Sequence, residues 1–130
     1  MSKAFCLLNH TLTEIQIKEL KEEFGAPEIV YPSEELSKKW SQIPATRELD
    51  MTPIQEVIEW LSAAQTSDVL IIQGEFGSTF MLVDYALKRG LIPVHAVTKR
   101  VAQEVRIGEQ IQKQHTFEHV CFRRYAYYAE

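Results

Sequence analysis

The segment that most restricts the fold is Asp68–Ile72, DVLII, a short unbroken apolar run with helical patterns on either side of it. No polar residue alternates through it, which suits a strand covered on both faces, as strands of a parallel sheet are. Upstream, Ile54, Val57, Ile58 and Leu61 recur with the 3.6-residue period of a helix. Downstream, Gly77–Arg89 predicts another helix, stopped at Gly90. A buried strand between two helices is the repeating unit of a parallel α/β sheet, because parallel neighbours require a long crossover.

The rest of the chain continues the alternation. Lys3–Leu8 (KAFCLL) predicts a first strand and Leu12–Phe24 a helix. Thr13 and Gln16 have capping-box spacing, Leu12 and Ile17 occupy hydrophobic-staple positions, and Gly25 supplies the left-handed stop. Glu28–Tyr31 predicts a second strand, and Ser33–Trp40 a short helix capped by Ser33, with Leu36 and Trp40 on its buried face. The next helix is expected to start with Thr52 as cap, Pro53 in the first helical position and Gln55 closing a second box. Leu91–Val97 predicts a further strand, and Val101–Ile107 with Gln112–Tyr125 a hairpin around Gly108-Glu109. The expected architecture is one α/β domain over residues 1–130, a small Rossmann-like parallel sheet flanked by helices, with a C-terminal β-hairpin.

A hydrophobic fraction of 45% and a charged fraction of 25% fit a packed domain and argue against disorder. No apolar run approaches the roughly 18 residues that span a bilayer, and MSKAFCLLNH is too short and polar for a signal peptide. The expectation is a cytoplasmic protein with no membrane partner. Cys6 and Cys121 lie in strand-like segments and read as buried thiols in a reducing compartment. The net charge of −4 is made up of −6 over residues 1–98, +3 over residues 99–124 and −1 from Glu130. That balance disfavours duplex nucleic acid and suits a compact anionic ligand, although an ordinary solvated face fits it equally well.

Ligands of open parallel sheets bind at the carboxyl ends of the strands, and three polar segments are expected there. In Asn9-His10-Thr11 every side chain can hydrogen-bond, and His10 can also move a proton near neutral pH; a plain turn and cap uses the same residues. In Gln73-Gly74-Glu75-Phe76-Gly77-Ser78-Thr79, two glycines permit close backbone approach and free N–H groups at the helix start can hold a phosphate. Phe76 can stack on a base. The segment lacks a Walker lysine and does not match G-x-G-x-x-G, so a simple strand-to-helix turn is its other reading. Thr98-Lys99-Arg100 places adjacent cations at a strand end, either as a phosphate clamp or as a charged exit to solvent.

Metal chemistry is not expected: on one strand His115 and His119 stand about 13 Å apart, and there is no Cys-x-x-Cys or His-Glu-x-x-His pattern. Gly-x-Ser-x-Gly is also missing. Phe122, Tyr125, Tyr127 and Tyr128 read as core or interface.

The stretches LLNHTLTEIQI, IIQGEFGSTFMLVDYAL, GLIPVHAVTKR and HTFEHVCFRRY cover nearly the whole chain. Together they resemble a small family of ancillary proteins from type III CRISPR loci, the twentieth of the Csx series. The resemblance implies a Rossmann-like homodimer related to CARF sensor domains, whose partner is a cyclic oligoadenylate second messenger. It further implies a ring nuclease that opens cyclic tetra-adenylate and so switches off antiviral signalling. The implied reaction needs no metal or other cofactor: a ribose 2′-hydroxyl attacks the neighbouring phosphodiester and leaves a 2′,3′-cyclic phosphate. On this reading His10, Lys99 and Arg100 are catalytic. Asn9, Thr11, Gln73, Gly74, Glu75, Phe76, Gly77, Ser78, Thr79 and Thr98 hold the ring. A sponge that binds the ring uncut and a structural subunit with an empty site are the competing expectations.

Overall fold

Local signals set most of the helix ends in the computed structural model, which describes residues 1–129. Strand β1 (Lys3–Leu7) leads to helix α1 (Glu14–Phe24). Thr13 caps α1 by accepting from the Gln16 N–H at 3.3 Å, while Gln16 Oε1 accepts from the Thr13 N–H at 3.0 Å. Gly25, at φ 63°, closes the helix as the sequence predicts. After β2 (Glu28–Val30), α2 (Glu34–Ser41) starts at Ser33, whose hydroxyl accepts from the Leu36 N–H at 3.1 Å. Leu36 and Trp40 are buried.

Helix α3 (Met51–Trp60) starts earlier than its sequence signals suggest. Its cap is Asp50, which accepts from the Thr52 N–H at 3.0 Å, so Thr52 and Pro53 lie in the first turn. Two cap-competent residues flank this helix start, and a carboxylate also complements the positive end of the helix dipole. Strand β3 (Val69–Ile72), helix α4 (Phe76–Lys88), β4 (Ile92–Ile107) and β5 (Gln110–Arg124) complete the chain.

The five strands form one sheet in the order β2-β1-β3-β4-β5. The first four run parallel and β5 is antiparallel to β4. All four residues of β3 are buried, as its unbroken apolar sequence requires. Helices α2, α3 and α4 cover one face through Leu36, Trp40, Ile54, Val57 and Leu82 against Phe5, Leu7, Leu70 and Ile72. Helix α1 covers the other, its Leu20 and the preceding Leu12 packing against Ala4, Cys6, Leu8, Ile71 and Val94. Among the described residues no helix is long and apolar enough to cross a membrane.

The principal departure from expectation is β4. It does not end at Val97 but runs 16 residues to Ile107, paired with β5 from Val94 onward. The antiparallel partner keeps supplying hydrogen bonds after β3 has ended, so the ladder has no reason to stop. The result is a two-stranded arm beyond the sheet, turning at Gly108 and Glu109. At its base the register shifts: Val97 pairs with Cys121 but Thr98 with His119, leaving Val120 as the extra residue of a bulge.

The bulge is fastened to α1. Glu19 Oε1 accepts from His119 Nε2 at 2.6 Å and Glu19 Oε2 from the Phe122 N–H at 2.7 Å. Gln16 Nε2 lies 3.3 Å from His119 Nδ1, and its Oε1 is already engaged by Thr13. Its amide therefore donates to Nδ1, which leaves the ring hydrogen on Nε2 for Glu19. One side chain thus ties the cap of α1 to the root of the arm.

Candidate functional site

β1 is the strand at which the chain reverses its direction across the sheet. From β1 the connection crosses the α1 face to β2, whereas from β3 it crosses the opposite face, through α4, to β4. Loops leaving the carboxyl ends of β1 and β3 therefore diverge and open a crevice. The register pairs Leu7 with Ile72, so Asn9 and Gly74 leave the sheet at the same level, two residues further on.

Asn9, His10 and Thr11 are exposed. They border a cleft of about 590 Å³, with Cys6 and Leu8 beneath it, Tyr31 and Pro32 at the end of β2, and α2 as the far wall. The α2 residues involved are Glu34, Ser37, Lys38 and Ser41, the i, i+3, i+4, i+7 stripe opposite the buried Leu36 and Trp40. His10 Nδ1 lies 3.0 Å from the Thr11 carbonyl oxygen. A carbonyl can only accept, so Nδ1 carries the hydrogen and Nε2 of the neutral ring keeps its lone pair. Cys6 beneath is no nucleophile, because burial pushes its thiol up to about 12.

Lys38 and Tyr31 are absent from the sequence-based candidates. Lys39 is held by Glu56 at 2.9 Å and Glu35 at 3.4 Å, whereas Lys38 makes no ion pair among the described residues. The polar stripe of α2 was a usable signal; that it faces the β1 loop is a matter of tertiary placement.

The second segment serves other purposes. Gln73 Oε1 accepts from the Ala96 N–H at 2.9 Å and stitches β3 to β4. Gly74 lies against Trp40, whose indole N–H donates to the Gln73 carbonyl at 3.0 Å. The N–H groups expected to be free at the start of α4 are occupied. Glu75 Oε2 accepts from the Gly77 N–H at 2.8 Å, and Oε1 from the Ser78 N–H at 2.9 Å and its hydroxyl at 2.8 Å. These bonds hold the Glu75 carboxyl below its ordinary value, the Gly77 bond contributing most. An arriving phosphate must displace that carboxylate. Helix α4 consequently starts at Phe76 rather than Gly77. Phe76 is 92% exposed. With Thr79 it lines an apolar groove shared with Phe80, Tyr125, Tyr127 and Tyr128, and Glu75 and Gly77 face a separate hollow against residues 43–49.

Thr98, Lys99 and Arg100 are exposed but do not follow the last parallel strand; they lie within β4. Successive side chains of a strand point to opposite faces. Arg100 lies opposite Phe117 in the register and, with Thr98, continues the α1 side defined by Val94 and Ala96. Lys99 lies opposite Glu118 on the other side. The expected two-cation clamp does not form, because strand geometry separates its members.

The structure therefore concentrates one candidate segment, Asn9–Thr11, in a cleft and leaves the other two outside its lining. The cleft unites a ring nitrogen with a free lone pair, an ammonium group without an ion pair among the described residues, an amide and a half-exposed aromatic side chain. That set can hold an anionic, ring-bearing ligand and remove a proton from it. No group of three potential metal ligands occurs among the described residues.

Known proteins place the chain among relatives. It is 35% identical over 128 residues to "Uncharacterized protein MJ1673" of Methanocaldococcus jannaschii, covering 96% of this chain and 98% of that protein. No solved structure matches it. The model of the Uncharacterized protein MJ1673 family matches residues 2–123, from the start of β1 almost to the end of β5 and including the whole cleft. The chain belongs to the MJ1673 family.

Proposed function

We propose that this protein binds cyclic oligoadenylate, cyclic tetra-adenylate above all, and opens the ring in the manner of a type III CRISPR ring nuclease. The observation that carries the reading is His10, with its lone-pair nitrogen unencumbered at the mouth of a cleft on the carboxyl edge of the sheet. Nε2 takes the proton of a ribose 2′-hydroxyl, and the resulting oxygen attacks the adjacent phosphorus. The bond from phosphorus to the 5′-oxygen breaks, and that oxygen receives a proton. The products are a 2′,3′-cyclic phosphate and a 5′-hydroxyl. A general base contributes about 10²–10⁴-fold to such a step, and in-line positioning supplies much of the remainder. Arg100 lies on the side of the sheet toward which the β1 loop turns, which suits it to phosphoryl charge; Lys99 does not share that side.

The strand order, with helices on both faces, supports a Rossmann-like, CARF-related assignment for the parallel part of the sheet. A ring of four nucleotides exceeds the cleft of one protomer, so we place it across a cytoplasmic two-fold homodimer that offers two clefts. The second reading is a sponge that binds without cutting. It is favoured by the self-capped start of α4 and by the divergence of Lys99 from Arg100, which leave few converging cations to stabilise a transition state.

Incubation with cyclic tetra-adenylate in EDTA, followed by chromatography, tests both. Linear products ending in 2′,3′-cyclic phosphate, formed at least tenfold more slowly by His10→Ala at nearly unchanged affinity, support the ring nuclease with His10 as base. Binding without turnover at enzyme excess over hours leaves the sponge. No binding refutes both.

A further inference from the structure

We infer that the cleft beside α2 is an adenine-nucleotide subsite in which Tyr31 stacks on the base and Lys38 holds the phosphate. This deepens the ring-binding reading to the level of one nucleotide, yet stands on its own geometry. The cleft has about 590 Å³, inside the range of roughly 300–1,000 Å³ typical of small-ligand sites. Its walls come from three separate elements, the β1 loop, the end of β2 and α2, so the fold presents it already formed.

Each wall supplies a different recognition chemistry. Tyr31, 44% exposed beside the φ-restricted Pro32, offers an aromatic face to a base. Asn9 carries the amide that can pair with adenine N6 and N7 together, a donor and an acceptor for an acceptor and a donor. Lys38 is the cation. Its neighbour Lys39 is engaged by two carboxylates while Lys38 has no ion pair among the described residues, so its ammonium is available to a phosphate without first giving up a partner. Glu34, one turn before Lys38 on the same stripe, repels phosphate and accepts from ribose hydroxyls, which orients the nucleotide with its phosphate toward Lys38. Beneath, Cys6 and Leu8 are 2% and 6% exposed and give the base an apolar floor.

Adenosine 5′-monophosphate is the first probe, titrated calorimetrically into the full-length protein, with guanosine 5′-monophosphate, inorganic phosphate and cyclic tetra-adenylate as comparisons. Lys38 and Tyr31 lie outside the buried core, and circular dichroism of each variant checks that it folds. The expected results are tighter binding of the adenine than the guanine nucleotide, and at least tenfold weaker binding in both Lys38→Ala and Tyr31→Ala. Lys38→Arg and Tyr31→Phe should recover most of the affinity. Phosphate bound through Lys38 with no effect of Tyr31 would reduce the cleft to an anion site and overturn the proposal. If the wild type binds cyclic tetra-adenylate and both alanine variants bind it equally well, the subsite is wrong and the ring reading survives. If the mononucleotide binds through Lys38 and Tyr31 but the ring does not bind, the subsite stands and the ring reading falls. Binding of neither probe overturns both.

Discussion

Replacing Gly74 by alanine would bring its Cβ within 2.7 Å of Cζ2, 2.8 Å of Cε2 and 2.9 Å of Nε1 of the Trp40 indole. Carbon atoms settle at about 3.5–4.0 Å, so the ring must retreat by close to an ångström. Trp40 is 2% exposed and anchored by the bond from Nε1 to the Gln73 carbonyl. Overpacking of this kind costs about 1–3 kcal/mol, and weakening the indole bond adds about 0.5–1.5 kcal/mol. Against this, alanine reduces the entropy of the unfolded chain by about 0.4–1 kcal/mol. The clash wins, and Gly74→Ala should lose about 1–3 kcal/mol, read from denaturant midpoints at unchanged slope. In a Trp40→Leu background the ring atoms that meet the new methyl group are gone, and the cost of Gly74→Ala should fall by at least 1 kcal/mol, a coupling within the range of contacting pairs. Gly74→Ala within 0.5 kcal/mol of wild type, or an equal cost in both backgrounds, would refute the steric account. If ring binding fell while stability held, Gly74 would be a ligand contact instead.

Glu19→Ala removes the acceptor of both His119 Nε2 and the Phe122 N–H, bonds to a charged group worth about 1.5–3 kcal/mol each before relaxation. A loss of about 2–4 kcal/mol is expected, with faster hydrogen exchange at the root of the arm; unchanged exchange there would show that α1 does not fasten it. Glu75 titrates below its ordinary 4.5 when folded, so its contribution is complete at neutral pH and disappears as pH falls through the folded value. Glu75→Gln should therefore be less stable at pH 7 and show a flatter stability profile below about pH 5, whereas parallel profiles would count against the cap. With its thiol pushed up to about 12, Cys6 should resist alkylation at pH 8 in the native protein and react once unfolded. Native modification of Cys6 at the rate of a free thiol would contradict its burial.

Features encoded over a few residues were legible without the fold. The capping box of Thr13 and Gln16, the stop at Gly25, the cap at Ser33 and the buried run that became β3 each rest on contacts within one turn or on an apolar pattern. Position at the carboxyl edge was also readable for Asn9–Thr11, because a strand followed by a helix fixes which end the loop leaves. Competition between local signals was not: Asp50 and Thr52 are both competent caps, and sequence alone does not rank them. The length of β4 was hidden because a strand ends where its partner ends, and its partner β5 lies beyond the turn. That same pairing turned Lys99 and Arg100 from a shared clamp into residues on opposite faces. Gly74 and Trp40 are 34 residues apart and Glu19 and His119 are 100 apart, so neither the size limit at one nor the charge at the other has any local trace. Lys38 joined the His10 cleft only because α2 packs across β1, a placement set by burial of Leu36 and Trp40 in the core. The chain by itself determined its elements and their order. Which polar groups meet was decided by packing, because side chains converge through distances in space that sequence separation does not measure.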